Sequence, residues 1–170
     1  NLKKFGVPVV VAINRFLNDS QKELDYIESF CHQNNAEFSL CEVFEKGGSG
    51  GTDLAEKVCR LVEQPSRFHT LYPDDAPITE KIETVCREIY GAEGVDYSAK
   101  ARKSLKEIEA LGGNKLPVCI AKTQYSLSDN PKLLGRPTGF RIAIRDLKLN
   151  NGAGFVVAYA GDILTMPGLP

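Results

Sequence analysis

Residues 6–13 read GVPVVVAI, an apolar run rich in valine, and that run constrains the fold more than any other feature. A strand with one wet face alternates apolar and polar side chains. One that is apolar throughout is expected to be covered on both faces, as in the middle of a parallel sheet with helices above and below. Parallel strands need a crossover helix, and the sequence supplies its start signal. Ser20 and Glu23 fit the S-x-x-E capping box, and Leu24, Ile27 and Cys31 follow at spacings of three and four on one helical face. Residues 37–44 alternate in part through Phe38, Leu40 and Val43 and read as the next strand, which closes a β-α-β unit.

Gly47, Gly48, Ser49, Gly50 and Gly51 then form a side-chain-poor loop ahead of a helix that begins near Thr52 and Asp53, carries Leu54, Val58, Leu61 and Val62, and ends at Pro65. Residues 67–77 (RFHTLYPDDAP) are a turn-rich connector, and the domain boundary falls within it. Residues 1–70 are therefore expected to be a partial α/β domain and residues 71–170 an α+β domain. In the second, Ile78, Ile82, Val85 and Ile89 predict a helix stopped by Gly91 and Gly94. A further helix is predicted over 98–111, with Leu105, Ile108 and Leu111 as its apolar stripe, lysines on a solvated face and Gly112-Gly113 as its stop. Strands are expected over 116–121, 140–147 and 154–160. The fold class is α/β: the edge of a parallel, P-loop-like or Rossmann-like sheet followed by a small α+β domain.

The 21 basic and 22 acidic side chains give a net charge of -1, which does not favour a nucleic-acid partner, since phosphate binding needs a basic excess. Cys31, Cys41, Cys59, Cys86 and Cys119 show none of the paired spacings of zinc or redox sites, so a reducing, cytoplasmic setting is expected. Cys59 and Cys86 fall on predicted apolar helix faces, as small hydrophobes do. No apolar run reaches the roughly 18 residues of a membrane-spanning helix. The chain opens on Asn1 just before the valine-rich strand and closes at Pro170, so it is expected to be cut from a longer protein.

Four places can hold chemistry. Glycines before a helix let backbone amides approach an anion, so Gly47, Gly48, Gly50 and Gly51 fit either a ligand contact or a tight turn; the lysine and hydroxyl of a G-x-x-x-x-G-K-[ST] loop are absent. Asn14, with Arg15, Phe16 and Asp19 after the strand, resembles the N-K-x-D base-reading element of P-loop proteins, or else is a turn residue. Residues 122–138 form a long polar stretch containing Lys122, Thr123, Gln124, Tyr125, Ser126, Ser128, Asp129, Lys132 and Arg136, a set able to bind an amide- and carboxylate-bearing ligand or simply to be solvated. Gly152-Ala153-Gly154 precedes Phe155, which is either core or a platform for a flat ligand. Asp162 and a Pro-Gly turn over residues 166–170 come after it. His32 and His69 have no partner at triad or ligand spacing and read as structural.

The segments NLKKFGVPVVVAINRF, KGGSGGTDLAEKV, KTQYSLSDNPKLLGRP and GAGFVVAYAGDILTMPGLP together resemble the formate-tetrahydrofolate ligases from end to end. The resemblance implies synthesis of 10-formyltetrahydrofolate from formate, tetrahydrofolate and ATP through formyl phosphate, with magnesium and a monovalent cation, by a homotetramer in one-carbon metabolism. It implies that the P-loop lies in an N-terminal portion not contained in these residues, so that they are inactive alone; the alternative is a structural or oligomerisation domain that binds no ligand by itself. By motif alignment the two aromatic walls that hold the pterin map to Leu127, where phenylalanine is commoner, and Phe155. Lys122, Gln124, Tyr125 and Ser126 belong to the folate-side loop, and Asn14 with the glycines lies on the nucleotide side.

Overall fold

The computed structural model describes residues 1–161 and 163, so Asp162 and the turn expected over residues 166–170 lie outside the described residues. The architecture is mixed α/β with parallel-rich sheets. Contacts divide it into two compact units, Asn1–His69 and the residues from Thr70 onward.

In the first unit, β1 (Val10–Asn14) and β2 (Glu37–Cys41) pair in parallel, Val10 opposite Glu37 and Asn14 opposite Cys41, with α1 (Gln21–Gln33) as the crossover. The capping box closes at its start. Ser20 Oγ accepts from the Glu23 N–H at 3.4 Å, and the Glu23 carboxylate accepts from the Ser20 N–H at 2.9 Å. Hydrogen bonding to the Ser20 side chain and backbone holds the Glu23 carboxyl below its ordinary range. Past the other end of α1 the Lys3 ammonium donates to the carbonyls of Asn34 and Asn35, a cation placed where the helix dipole is negative. Leu24 and Cys31 are buried, as the stripe requires.

Three expectations for this unit need correcting. No residue of β1 is buried, and among the described residues β2 is its only partner, so the valine run does not sit between two neighbours here. Val43 and Phe44, expected to extend β2, instead begin a short helix, α2 (Val43–Lys46); the tight glycine turn that follows is a 3-10 turn, Gly47–Gly51, running into α3 (Thr52–Val62). Gly50 shows why glycine is needed there: the Glu42 N–H donates to its carbonyl at 3.0 Å, and a Cβ on Gly50 would lie 2.4 Å from the Glu42 carbonyl oxygen. Only glycine tolerates that approach. Finally, no residue of α3 is buried, and Cys59, expected as a packing residue, is exposed.

In the second unit, α4 (Ile78–Thr84) continues into a π-helical turn, Val85–Tyr90. Gly94, read from the sequence as a helix stop, opens a short strand, β3 (Gly94–Tyr97), under the Arg141 guanidinium; a Cβ there would lie 2.3 Å from a guanidinium nitrogen. Ser98 caps α5 (Ala99–Ala110), its Oγ accepting from the Ala101 N–H at 3.0 Å and donating to the Arg145 carbonyl at 2.7 Å. Leu111, expected in the stripe of this helix, caps it and is exposed. β4 (Val118–Ala121), β5 (Arg141–Asn150) and β6 (Phe155–Ala160) complete a sheet of order β3-β5-β6-β4. β3 runs parallel to β5 and β4 parallel to β6, while β5 and β6 form an antiparallel hairpin. Ile78, Ile82 and Cys86 from the helical layer join Ile142, Ile144, Val156, Ala158 and Ala160 of the sheet in one fully buried cluster.

One member of this interior is charged. Lys81 is fully buried, and its ammonium donates to the carbonyls of Asp74 at 2.6 Å, Lys115 at 3.1 Å and Leu116 at 3.2 Å, with the Tyr72 ring centre 5.8 Å away. An ammonium has three protons, and each finds an acceptor. Lys81→Met keeps the stem and orphans three carbonyls; at about 1–3 kcal/mol each for an unsatisfied buried group, we expect urea unfolding to report a loss of about 3 kcal/mol or more. A second expectation concerns alkali. Burial, with smaller contributions from Asp129 and Glu83, pushes the Cys86 thiol up to about 12 from 9.0. The unfolded thiol ionises first, so stability is fully present below about pH 9 and falls as pH rises toward 12. Cys86→Ala should flatten that fall in equilibrium unfolding; an unchanged slope above pH 9 assigns it to other groups.

Candidate functional site

Residues 122–138 leave the end of β4 at Ala121 and return to Phe140 ahead of β5. Although they contain no helix or strand, they are closely bonded. The Lys122 ammonium lies 4.8 Å above the Tyr90 ring centre and donates to the carbonyls of Thr123, at 3.0 Å, and Ser126. Desolvation lowers its affinity for a proton, against the pull of Asp129. Ser126 and Gly135 form a bridge, flanked by Leu127 N–H to Gly135 carbonyl at 2.8 Å and Gly135 N–H to Tyr125 carbonyl at 3.1 Å. The buried hydroxyls of Ser126 and Ser128 lie 2.9 Å apart, and that of Ser128 takes the Asn130 N–H at 3.2 Å. Asp129 ties the loop to the sheet, accepting from the Ala143 N–H at 2.8 Å. Gly161 packs on the Asp129 carbonyl so closely that a Cβ would lie 2.4 Å from that oxygen.

Lys122, Ser126 and Leu127 thus belong to one folded loop, with Tyr125 (61% exposed) and Gln124 turned to solvent. Tyr90, which backs the lysine, and Gly161, which seats Asp129, were not legible: the first reads as an ordinary helical aromatic and the second as a turn residue.

Phe155 is elsewhere. β4 and β6 are parallel with Ala121 opposite Tyr159, so the loop leaves beside the end of β6, where Gly161 meets Asp129. Phe155 opens β6 opposite Asn150, and the Val156 N–H next to it donates to Pro117. Six steps of strand at about 3.3 Å each put about 20 Å between Phe155 and Gly161. Parallel register thus puts the start of the loop and Phe155 at opposite ends of β6. Phe155 is 41% exposed at its own end.

In the first unit, a pocket of about 470 Å³ opens at the carboxyl ends of β1 and β2, lined by Arg15, Phe16, Leu17, Asn18, Glu42, Phe44, Glu45 and Lys46. Ligands of open α/β sheets bind at such strand ends. Glu42 holds Arg15 at 2.9 Å and Lys46 at 2.6 Å, and its carboxyl sits below its ordinary range, chiefly through the bond from Lys46. Asn14 ends β1 beneath this mouth, and Phe16 donates its N–H to Asp19 at 2.8 Å, which makes the segment after Asn14 a turn. Gly47 and Gly48 face open space, whereas Gly50 packs on Glu42. The first turn of α3 carries its own anion, Asp53, bonded to Lys57 at 2.7 Å and Ser39 at 2.6 Å. Among the described residues no three His, Cys, Asp or Glu side chains are grouped to hold a metal ion. No described helix is long and apolar enough to cross a membrane.

A parallel-rich α/β scaffold with a folded polar loop at one strand end and an open pocket at another defines the class. A family model for formate-tetrahydrofolate ligase matches residues 1–170, and the chain belongs to that family.

The seat of Asp129 yields a test. Gly161 has φ +66, and alanine there adds about 1–2 kcal/mol of left-handed strain to the clash with the Asp129 carbonyl. Gly161→Ala should speed amide exchange across residues 122–138 while the amides of α4 stay protected. Equal exchange in both proteins would mean that the loop does not need this contact.

Proposed function

We propose that these residues carry the folate-side loop of an enzyme that makes 10-formyltetrahydrofolate from formate, tetrahydrofolate and ATP through formyl phosphate. The carrying observation is that residues 122–138, polar and without regular structure, are nonetheless pinned by Lys122, the Ser126–Gly135 bridge and Asp129. Ordering such a stretch costs about 1–2 kcal/mol of backbone entropy per residue, and a pre-ordered loop spares a ligand that cost. In this reading Leu127 offers an apolar wall, Gln124 and Tyr125 offer exposed polar groups, and Ser126 and Lys122 hold the backbone that presents them. Phe155, at the far end of the sheet, contacts folate only through a second surface.

Asn14, Gly47, Gly48, Gly50 and Gly51 are assigned to the nucleotide side, with the pocket around Arg15 and Phe16 as its mouth. ATP with magnesium, a monovalent cation and a homotetramer belong to the proposal through the family alone. Since G-x-x-x-x-G-K-[ST] does not occur in the 170 residues, phosphoryl transfer has no phosphate cradle here, and the chain by itself turns nothing over. A second reading, an interaction domain that binds no ligand alone, draws on the exposed apolar side chains of the first unit: Phe44 at 88%, Leu17 at 83% and Val62 at 73%.

Calorimetry separates the two. The first reading expects saturable heat with tetrahydrofolate, weakened roughly tenfold or more by Leu127→Ala, since burying an apolar side chain is worth about 1.5–3 kcal/mol, and little changed by Phe155→Ala. Absence of heat, together with sedimentation that shows self-association, favours the second. Formate-dependent ADP production by the chain would overturn the claim that it is inactive alone.

A further inference from the structure

The helical layer of the second unit ends in a turn that the folate reading does not use. Val85–Tyr90 is π-helical, a form that well under 1% of residues adopt and that is frequent at functional sites. The Gly91 N–H reaches back to the carbonyls of Arg87, at 3.1 Å, and of Cys86, and the Ala92 N–H also bonds the Cys86 carbonyl, at 3.0 Å. Gly91 closes the turn at φ +77, which glycine takes without strain. An α-helix would carry its buried face from Cys86 on to the residue four later. Here Cys86 is fully buried, whereas Tyr90 is half-buried and lies against the start of the polar loop. The wide turn rotates Tyr90 off the core face.

The turn meets the loop at both ends. At the start, the Lys122 ammonium lies 4.8 Å above the Tyr90 ring centre and gives two of its three protons to the carbonyls of Thr123 and Ser126. At the return, the Glu93 N–H donates to the Phe140 carbonyl at 2.8 Å. What lies against the ammonium matters. A carboxylate there would compete for the protons that hold the loop backbone, but the face of a ring attracts the charge through its quadrupole and offers no lone pair. Desolvation favours the neutral amine at Lys122; the ring face opposes it, as Asp129 does. Desolvation, with smaller contributions from Cys86 and Cys119, also raises the Tyr90 phenol above its ordinary value, so the ring stays neutral.

We propose that Tyr90 is a positioning residue for residues 122–138: its ring holds the Lys122 ammonium, and through that charge the carbonyls of Thr123 and Ser126, in the arrangement that receives tetrahydrofolate. The inference rests on the folate-side reading of the loop and adds to it a residue outside the loop that acts through Lys122. The π-helical turn is then the element that delivers the ring.

Amide exchange of the 170-residue chain and calorimetry with tetrahydrofolate test this together. Tyr90→Phe keeps the ring and should leave both at the wild-type level. Tyr90→Leu keeps an apolar side chain without a ring. It should speed exchange over residues 123–128 and weaken tetrahydrofolate binding, each by several-fold to about tenfold, the size of a desolvated cation–ring contact, while the amides of α4 stay protected. In a Lys122→Met background Tyr90→Leu should add nothing further, since the charge on which the ring acts is gone. A residue that only packs would cost as much with the lysine as without it.

The assignment is overturned if Tyr90→Leu leaves the loop amides at the wild-type rate, if it deprotects α4 as well, if Tyr90→Phe behaves like Tyr90→Leu, or if the effect persists in full beside Lys122→Met. Faster loop exchange with unchanged tetrahydrofolate affinity overturns it too. Absence of heat with the wild type would instead overturn the folate reading, and the exchange data would still decide whether the ring holds the loop.

Discussion

The second unit depends on a buried ammonium. Lys81 lies within the helical layer and ties together three carbonyls that no strand or helix satisfies: one in the connector before α4 and two in the approach to β4. A charge taken out of water is tolerated only when its protons are all used, and that demand fixes three chain segments around one atom. β4 starts where this clamp sets it, and the polar loop starts where β4 ends. The starting point of the polar loop is thus traceable to a buried lysine.

A second lysine repeats the device at the other end of β4. Lys122 also spends its protons on carbonyls and also lies over a tyrosine ring. Here the group is only half-buried, so the tie is weaker, and Asp129 and Gly161 share the work of holding the loop. In this ligase family member the polar loop is therefore a backbone held by side chains, with Gln124 and Tyr125 exposed.

What the sequence made legible was mostly local. The capping box of α1 was readable because both partners of each bond lie within three residues. The parallel pairing of β1 and β2 followed from the apolar run and the crossover between them. β3 was missed because four residues beginning with glycine look like a helix stop, and they become a strand only when β5 lies beside them. The glycines at 47–51 were legible as a tight turn ahead of a helix, but the close approach of Gly50 to the Glu42 backbone was not. The motifs around Leu127 and Phe155 were visible as motifs, but which end of the sheet each occupies is set by register, and no spacing along the chain encodes that. Lys81 carries no signal in the sequence, and its burial is a tertiary fact.

The parallel register of β4 and β6 also isolates the two ends of the sheet from each other. The tip of the β5–β6 hairpin, Asn151 to Gly154, projects where a Cβ on Gly152 or Gly154 would meet no atom within 4 Å. The cluster of Ile142, Ile144, Val156, Ala158 and Ala160 lies between that tip and the loop. A dye, an affinity handle or a few inserted residues at the tip would be carried outward, away from residues 122–138. The hairpin is therefore the natural attachment point for a reporter meant to watch the loop without disturbing it.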